Sequence, residues 1–320
     1  MNPCIAPTIR RILALLSLAA CLAGLAAQAA PKRVLVVTIT TGFRHSSIEV
    51  AEKVIAQLGE KSGAFTVDYA RVTPPNVMRK PNPPRPTGDA KKDAANQKRF
   101  EADLAKYETV KAESEAALKK YADEQKAVLA AKLSPAALRN YDAVIFANTT
   151  GDLPLPDPQA LVDWVKAGHG FCAMHSGSDT FHKFPPYIEM LGGEFKTHGP
   201  QVAVTALNKN PKHPATKHLP AAWDIFDEIY EFKSHEQGNV NELLSLDKHP
   251  QTREPGYHGM SWYRTPGKGR VFYTSLGHRE DMWDPDWKDA QGQRRNPPAI
   301  ALAYQQHILG GIKWALGLEK

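Results

Sequence analysis

The stretch "GHGFCAMHSGSDTF", residues 168–181, decides the fold. An apolar run from Phe171 to Met174 stops abruptly at His175-Ser176-Gly177. A buried strand that ends on a reactive side chain followed by small residues predicts a sharp strand-to-helix turn. Such a turn lifts one side chain above a parallel sheet. The side chain lifted here is an imidazole, not a hydroxyl or a thiol.

Working outward, "RVLVVTIT" (33–40) is a β-branched run of the kind found in strands buried on both faces. In "GFRHSSIEVAEKVIAQLG", Ser46 and Glu49 have capping-box spacing, and Ile48, Ala51, Ile55 and Leu58 fall on one helical face. "FTVDYARV" (65–72) and "YDAVIFANTTGD" (141–152) read as further strands. Asp157-Pro158 caps and opens the helix "QALVDWVKAG", which Gly168 closes. Beyond the turn, "VAVTAL", "EIYEF", "LLSL", "MSWY" and "RVFYTSLGH" are short strand candidates, and "AYQQHILGGIKWALG" is an amphipathic helix. The pattern predicts an α/β fold. Its mainly parallel, doubly wound sheet carries helices on both faces and antiparallel edge strands.

One segment interrupts that pattern. Residues 74–88 are proline-rich, and 89–133 hold neither glycine nor proline. Phe100, Leu104, Tyr107, Leu118, Tyr121 and Val128 have heptad spacing, with Lys111, Ser114 and Gln125 breaking the seam. Residues 74–139 are therefore expected to be a linker and long helical insertion within a domain spanning 31–320. The segment is either packed on its own domain or used as a partner surface.

Residues 1–30 read as a secretory signal peptide. Arg10 and Arg11 precede an apolar run, and a small-residue exit places cleavage near Ala29-Ala30. Lipidation at Cys21 is the second choice. The expectation is a periplasmic or secreted chain with no transmembrane span once the leader is removed. Without the leader, 38 Lys and Arg face 34 acids, a net charge of +4. No basic block is interleaved with aromatics, so nucleic acid is a poor partner. Cys172 alone remains outside the leader, so there is no internal disulfide.

In open parallel sheets, ligands sit beyond the carboxyl ends of the strands. Arg44 and His45 fall there, with Asn148, Thr149 and Asp152, then His175, Ser176 and Asp179, then His278, Arg279, Glu280 and Asp281. His175, His278 and Glu280 are the catalytic candidates, because imidazole titrates near neutrality and a carboxylate sets its tautomer. Arg44, His45, Asn148, Thr149, Ser176, Asp179, Tyr230 and Trp283 are substrate-binding candidates. Phe181, Tyr187 and Trp262 are further aromatics for stacking on a sugar, with core packing the competing reading. A divalent metal such as zinc has candidate ligands in His45, His175, His198, His235, His258 and His278, although no His-x-x-x-His spacing supports it directly. The remaining histidines read as structural. Asp227-Glu228 reads equally as acid/base residues or as a loop-holding pair.

The chain resembles the trehalose-utilisation (ThuA-like) family, through "GFRHSSI", "YDAVIFANTTGD", "HSGSDTF", "YIEMLGGEF", "HPAT", "DEIY" and "GKGRVFYTSLGHRED" in that order. The resemblance implies a fold similar to class I glutamine amidotransferases, a flavodoxin-like three-layer α/β arrangement. In that related fold a cysteine holds the turn and His-x-Glu follows the last core strand. Here His175 takes the turn and His278-Arg279-Glu280 keeps the spacing. With Cys172 inside the strand, no thiol nucleophile is placed for a glutaminase. The resemblance implies a carbohydrate partner and action on a glycoside or keto-glycoside by proton transfer, with or without a metal. The reaction would be of hydrolase, lyase or isomerase type. A non-catalytic cell-envelope scaffold using the insertion is the alternative.

Overall fold

Val34 to Val37 are wholly buried because β1 (Lys32–Val37) runs through the middle of a sheet covered on both faces. The computed structural model describes residues 30–320, and Lys32–Lys320 form one unit. The expected leader and its cleavage site near Ala29 lie outside the described residues.

After β1 come α1 (Ile48–Ser62), β2 (Phe65–Ala70), α2 (Ala90–Leu133) and α3 (Pro135–Leu138). Next are β3 (Ala143–Ala147), α4 (Pro158–Lys166), β4 (Gly170–Met174) and α5 (Pro185–Leu191). Five strands follow: β5 (Glu194–His198), β6 (Val202–Asn208), β7 (Ala222–Asp227), β8 (Tyr230–Lys233) and β9 (Asn241–Lys248). The chain ends with β10 (Pro255–Arg264), β11 (Arg270–Thr274), α6 (Glu280–Trp283) and α7 (Pro298–Ala315).

Nine strands form one sheet in the order β2-β1-β3-β4-β11-β10-β9-β6-β7, and β5 pairs with β8 apart from it. The first five are parallel and the last four antiparallel. The parallel part has the flavodoxin-like order, with its reversal between β1 and β3. Val34 pairs with Ala143, Ala143 with Gly170, and Gly170 with Arg270, so these strands start level. They also end level, and β1, β3, β4 and β11 release their following loops along one edge.

Alternation along β1 divides the core. Val34 and Val36 pack with Ile55 and Leu58 of α1 and Ile308 and Ile312 of α7. Leu35 and Val37 pack with Leu161 and Val165 of α4 and Met190 of α5. This is the doubly wound arrangement that the sequence pattern predicts.

Three details differ from expectation. First, β1 stops at Val37, and Thr40 only bridges to Thr150. Second, the Ser46–Glu49 capping box is not formed: Ser47 is the N-cap, makes no side-chain cap bond, and turns its hydroxyl to the Gly277 carbonyl. Third, β5 and β7 were not among the expected strands. β7 alternates with exposed, charged or polar residues, and β5 ends on three exposed polar residues, both of which hide short strands.

The insertion is one 44-residue helix, α2, capped by Asp89. Its last turns belong to the core: Leu129 and Leu133 are buried with α4, and Gln125 donates to the Thr40 carbonyl at 2.9 Å. Phe100, Leu104, Leu118, Tyr121 and Val128 are half-buried and Tyr107 is buried. No helix among the described residues is long and apolar enough to cross a membrane.

Candidate metal centre

The loop after β1 supplies His45, just before α1 begins. His175 is the first residue after β4 and has φ +46°, the left-handed conformation of a sharp strand-to-helix turn. Gly277, with φ +114°, turns the chain after β11 so that His278 follows it inward. A Cβ at Gly277 would stand 2.6 Å from the Tyr304 hydroxyl, so only glycine fits. The fourth side chain comes from the antiparallel flank: Glu228 lies between β7 and β8.

These four residues place one ligand atom each within 4.8 Å of one another. His175 Nδ1 is 2.8 Å from the Ser275 carbonyl, so it must donate, leaving a lone pair on Nε2. Around that lone pair stand the Tyr230 hydroxyl at 3.0 Å, His45 Nε2 at 3.2 Å, His278 Nδ1 at 3.3 Å and Glu228 Oε2 at 3.6 Å. One lone pair accepts one hydrogen bond, so four polar neighbours exceed what hydrogen bonding can use. A cation resolves the crowding. Zinc–nitrogen bonds of about 2.05 Å at tetrahedral angles put ligand atoms about 3.3 Å apart. The His175–His45, His175–His278, His175–Glu228 and His278–Glu228 separations are 3.2, 3.3, 3.6 and 3.2 Å. Three imidazoles and a carboxylate are also a donor set that suits zinc and its neighbours.

A second layer fixes the first. Ser176 Oγ lies 3.2 Å from His45 Nδ1. Tyr273 donates to the His175 carbonyl at 2.9 Å. Asp227, fully buried, accepts the Gly277 N–H at 2.8 Å and the Arg279 N–H at 3.3 Å, gripping the backbone on both sides of His278. Asn148 donates to Ser47 Oγ and the Gly277 carbonyl. The pair Asp227-Glu228 therefore divides the two roles between which the sequence left it open: one holds the loop, the other faces the histidines.

Burial, reinforced by neighbouring His278, lowers His45 to a pKa of about 4. Burial and the adjoining imidazoles hold His175 well below the usual range. Both are thus neutral donors at pH 7. For His278 burial works downward, but the Glu228 carboxylate outweighs it and the pKa is raised. Asp227 is pushed up to about 6 by burial, against the pull of the Gly277 N–H.

A cavity of about 350 Å³ opens over this cluster. His45, Glu228, His278 and Tyr230 form part of its lining, with Asp179, His198, Phe43 and Phe195 completing it. His198 is half-exposed and its Nδ1 is 3.0 Å from Glu228 Oε1. Asp179 is held by His182 at 2.7 Å, and His182 in turn by Glu194 at 2.7 Å.

The structure brings together His45, His175, His278, His198, Asp179, Ser176 and Tyr230 from the expected set. It does not bring in Glu280, which makes no hydrogen bond or ion pair with His175 or His278; the carboxylate there is Glu228's. Glu280 starts α6 and reaches His278 only as a nearby charge that helps raise its pKa, after Glu228 and Asp227. Trp283 is fully buried with its N–H on the Gly277 carbonyl, and cannot meet a substrate. Asn148 and Thr149 are equally buried and support the site from beneath, Thr149 through Thr180. Arg44 turns back to the Thr38 carbonyl. His235 bonds Gly192 and Tyr257, and His258 faces His249, both away from the cluster. Phe181, Tyr187 and Trp262 are core residues. Phe43 and Phe195 were missed, although Phe43 lies two residues before His45.

Residues 93–291 match the ThuA family, described as trehalose utilisation. Two solved structures described as thua-like are similar along nearly their whole length. One, from Parabacteroides merdae, is 18% identical with a TM-score of 0.56, over 89% of this chain and 90% of that one. The other, from Bacteroides uniformis, is 17% identical with a TM-score of 0.56, over 93% and 96%. At this identity they establish the fold. No curated protein matches the chain.

Proposed function

The chain belongs to the ThuA (trehalose utilisation) family, and on that premise we propose an exported carbohydrate-processing enzyme that acts on a glycoside or keto-glycoside. Its divalent metal, zinc by donor type, is held by His45, His175, Glu228 and His278. The observation that carries the reading is the convergence of the four ligand atoms within 4.8 Å of one another, with separations of 3.2 to 3.6 Å around His175 Nε2 and between His278 and Glu228. Export rests on the leader-like pattern of residues 1–30, and N-terminal sequencing of the secreted chain tests it.

With four protein ligands, a divalent ion here would have to open a fifth position toward the cavity, where it would polarise a carbonyl or lower the pKa of bound water. The protein's own groups do the rest. Ser275 fixes the orientation of His175 through Nδ1, and Ser176 fixes that of His45. His198, whose Nδ1 lies 3.0 Å from Glu228 Oε1, and Asp179 line the cavity and are the groups placed to pass protons to a bound sugar. Burial raises the Asp179 carboxyl, against its bonds to His182, which suits it to hold a proton. A glutaminase reading has no support: Cys172 lies wholly buried inside β4, and burial pushes its thiol up, away from the reactive thiolate.

Elemental analysis of purified protein tests the metal, with about one zinc per chain expected. Turnover of a panel of glycosides and keto-glycosides, lost with chelator and restored by zinc, tests the function. Turnover indifferent to chelator, with no metal bound, overturns it.

A further inference from the structure

We propose that Phe43 and Phe195 form an aromatic platform at the mouth of the cavity that stacks on a single terminal pyranose ring. This rests on the carbohydrate reading above and deepens it.

Phe43 is 68% exposed, the most exposed of the large apolar side chains among the described residues. It is not adrift: its ring meets His45 edge-on at 4.9 Å, and its carbonyl accepts from Thr150 at 2.7 Å. An aromatic held in place yet left in water is poised for a partner. Phe195 comes from β5, in the separate two-stranded sheet, and packs on Tyr230 at 4.4 Å. Tyr230 in turn packs on His175 at 4.4 Å. Both phenylalanines are thus tied to the ligand cluster and line the same cavity as Asp179 and His198.

That combination fits a sugar. A pyranose presents an apolar C–H face, which suits the negative face of an aromatic ring, and an edge of hydroxyls, which suits a carboxylate and an imidazole. The cavity, about 350 Å³, lies at the small end of ligand sites, which run from about 300 to 1,000 Å³. It admits one ring, with the remainder of a larger glycoside passing out beside Phe43. The buried aromatics Phe181, Tyr187, Trp262 and Trp283 are unavailable for this.

The test is titration of the zinc-loaded protein with methyl glucoside, galactoside and mannoside, read by saturation-transfer NMR. Phe43→Ala and Phe195→Ala should each weaken the best ligand by about tenfold, the loss of one aromatic contact. Phe43→Trp should bind at least as well as the unmodified protein. Leu302→Ala, which trims an exposed apolar side chain on α7, should change nothing. Zinc content should be unchanged in all four, since none of these side chains offers a ligand atom. A pyranoside that binds Phe43→Ala and Phe195→Ala as tightly as the unmodified protein overturns the platform and leaves the carbohydrate reading standing. Zinc lost from Phe43→Ala overturns it too, since the ring would then act by holding His45. No binding of any pyranoside to the unmodified protein overturns the carbohydrate reading itself.

Discussion

Two groups of histidines occupy this molecule, and they are built differently. Around β8, β9 and β10, each ring nitrogen that is bonded meets backbone groups, a hydroxyl or a single carboxylate. His235 uses Gly192 and Tyr257, and His249 uses Glu231 and the N–H groups of Gln251 and Thr252. At the carboxyl edge of the parallel strands, four polar groups crowd one lone pair of His175. The cluster is the more deeply buried of the two. What separates a structural histidine from a ligand here is whether its ring nitrogens meet ordinary donors and acceptors, or converge with other imidazoles and a carboxylate on one point.

The largest expected effect tests that contrast directly. His175→Ala or His278→Ala should lower zinc affinity by more than about 100-fold, beyond the 10–100-fold typical of changes to a ligand's supports. His235→Ala should leave zinc bound, though it loses two hydrogen bonds. Equilibrium dialysis with zinc reads both, and His278→Ala, only partly buried, covers the case in which His175→Ala fails to fold. Equal zinc loss from the His235 and His278 variants would abolish the distinction. Since zinc binds only the folded chain, the unmodified protein should gain about 4 kcal/mol at a zinc concentration 1,000 times Kd.

The two carboxylates come next. Glu228→Gln removes a charged ligand and should weaken zinc by roughly 10- to 100-fold, whereas Glu280→Gln should be neutral. The reverse result would restore Glu280 to the site. Asp227→Asn acts through position. It sets an amide where two backbone N–H groups donate, loosening the Gly277–Arg279 turn that carries His278. We expect about tenfold weaker zinc binding and a stability loss of about 1–3 kcal/mol, measured by dialysis and by urea unfolding. Unchanged zinc affinity would show that the turn holds its shape alone.

The same contrast explains what the sequence made legible. Three ligand positions, His45, His175 and His278, end or follow runs of β-branched and apolar residues, so periodicity alone carried them to one edge of a parallel sheet. Glu228 follows β7, an alternating edge strand, and a short antiparallel strand carries no signal of where its end will lie. The "DEIY" stretch marked the place without choosing between its two acids. Glu280 misled because sequence spacing was read as spatial reach, while α6 begins at that residue and leaves it only a nearby charge. Phe43 was overlooked because exposure decides its meaning, and exposure is a property of the folded surface. The C-terminal turns of α2 were likewise hidden. Gln125, which reads as a break in an apolar seam, is the residue that bonds to Thr40.

The smallest effect concerns a histidine on the structural side. His307 of α7 is fully buried, with Nδ1 on the Ala215 carbonyl at 2.8 Å and Nε2 3.3 Å from Ser261 Oγ. Nδ1 donates to that carbonyl, the Ser261 hydroxyl proton is directed to the Tyr273 carbonyl at 2.7 Å, and burial lowers the ring's pKa to about 3. In the unfolded chain it titrates near 6.5. Between those values the unfolded state binds the proton and the folded state does not, so stability falls as pH falls. From well above pH 6.5 to pH 5.5 this one residue should cost about 1.4 kcal/mol. His307→Gln keeps a donor and an acceptor but cannot take up a proton. In urea unfolding of chelated protein at pH 7.5 and 5.5, its drop should be smaller than that of the unmodified chain by about that amount. His45 and His175 also sit below their ordinary range, and they add to the slope in both proteins alike, so the difference isolates His307. Equal drops would mean that His307 takes up its proton in the folded state near pH 6, and that its burial does not keep the ring neutral.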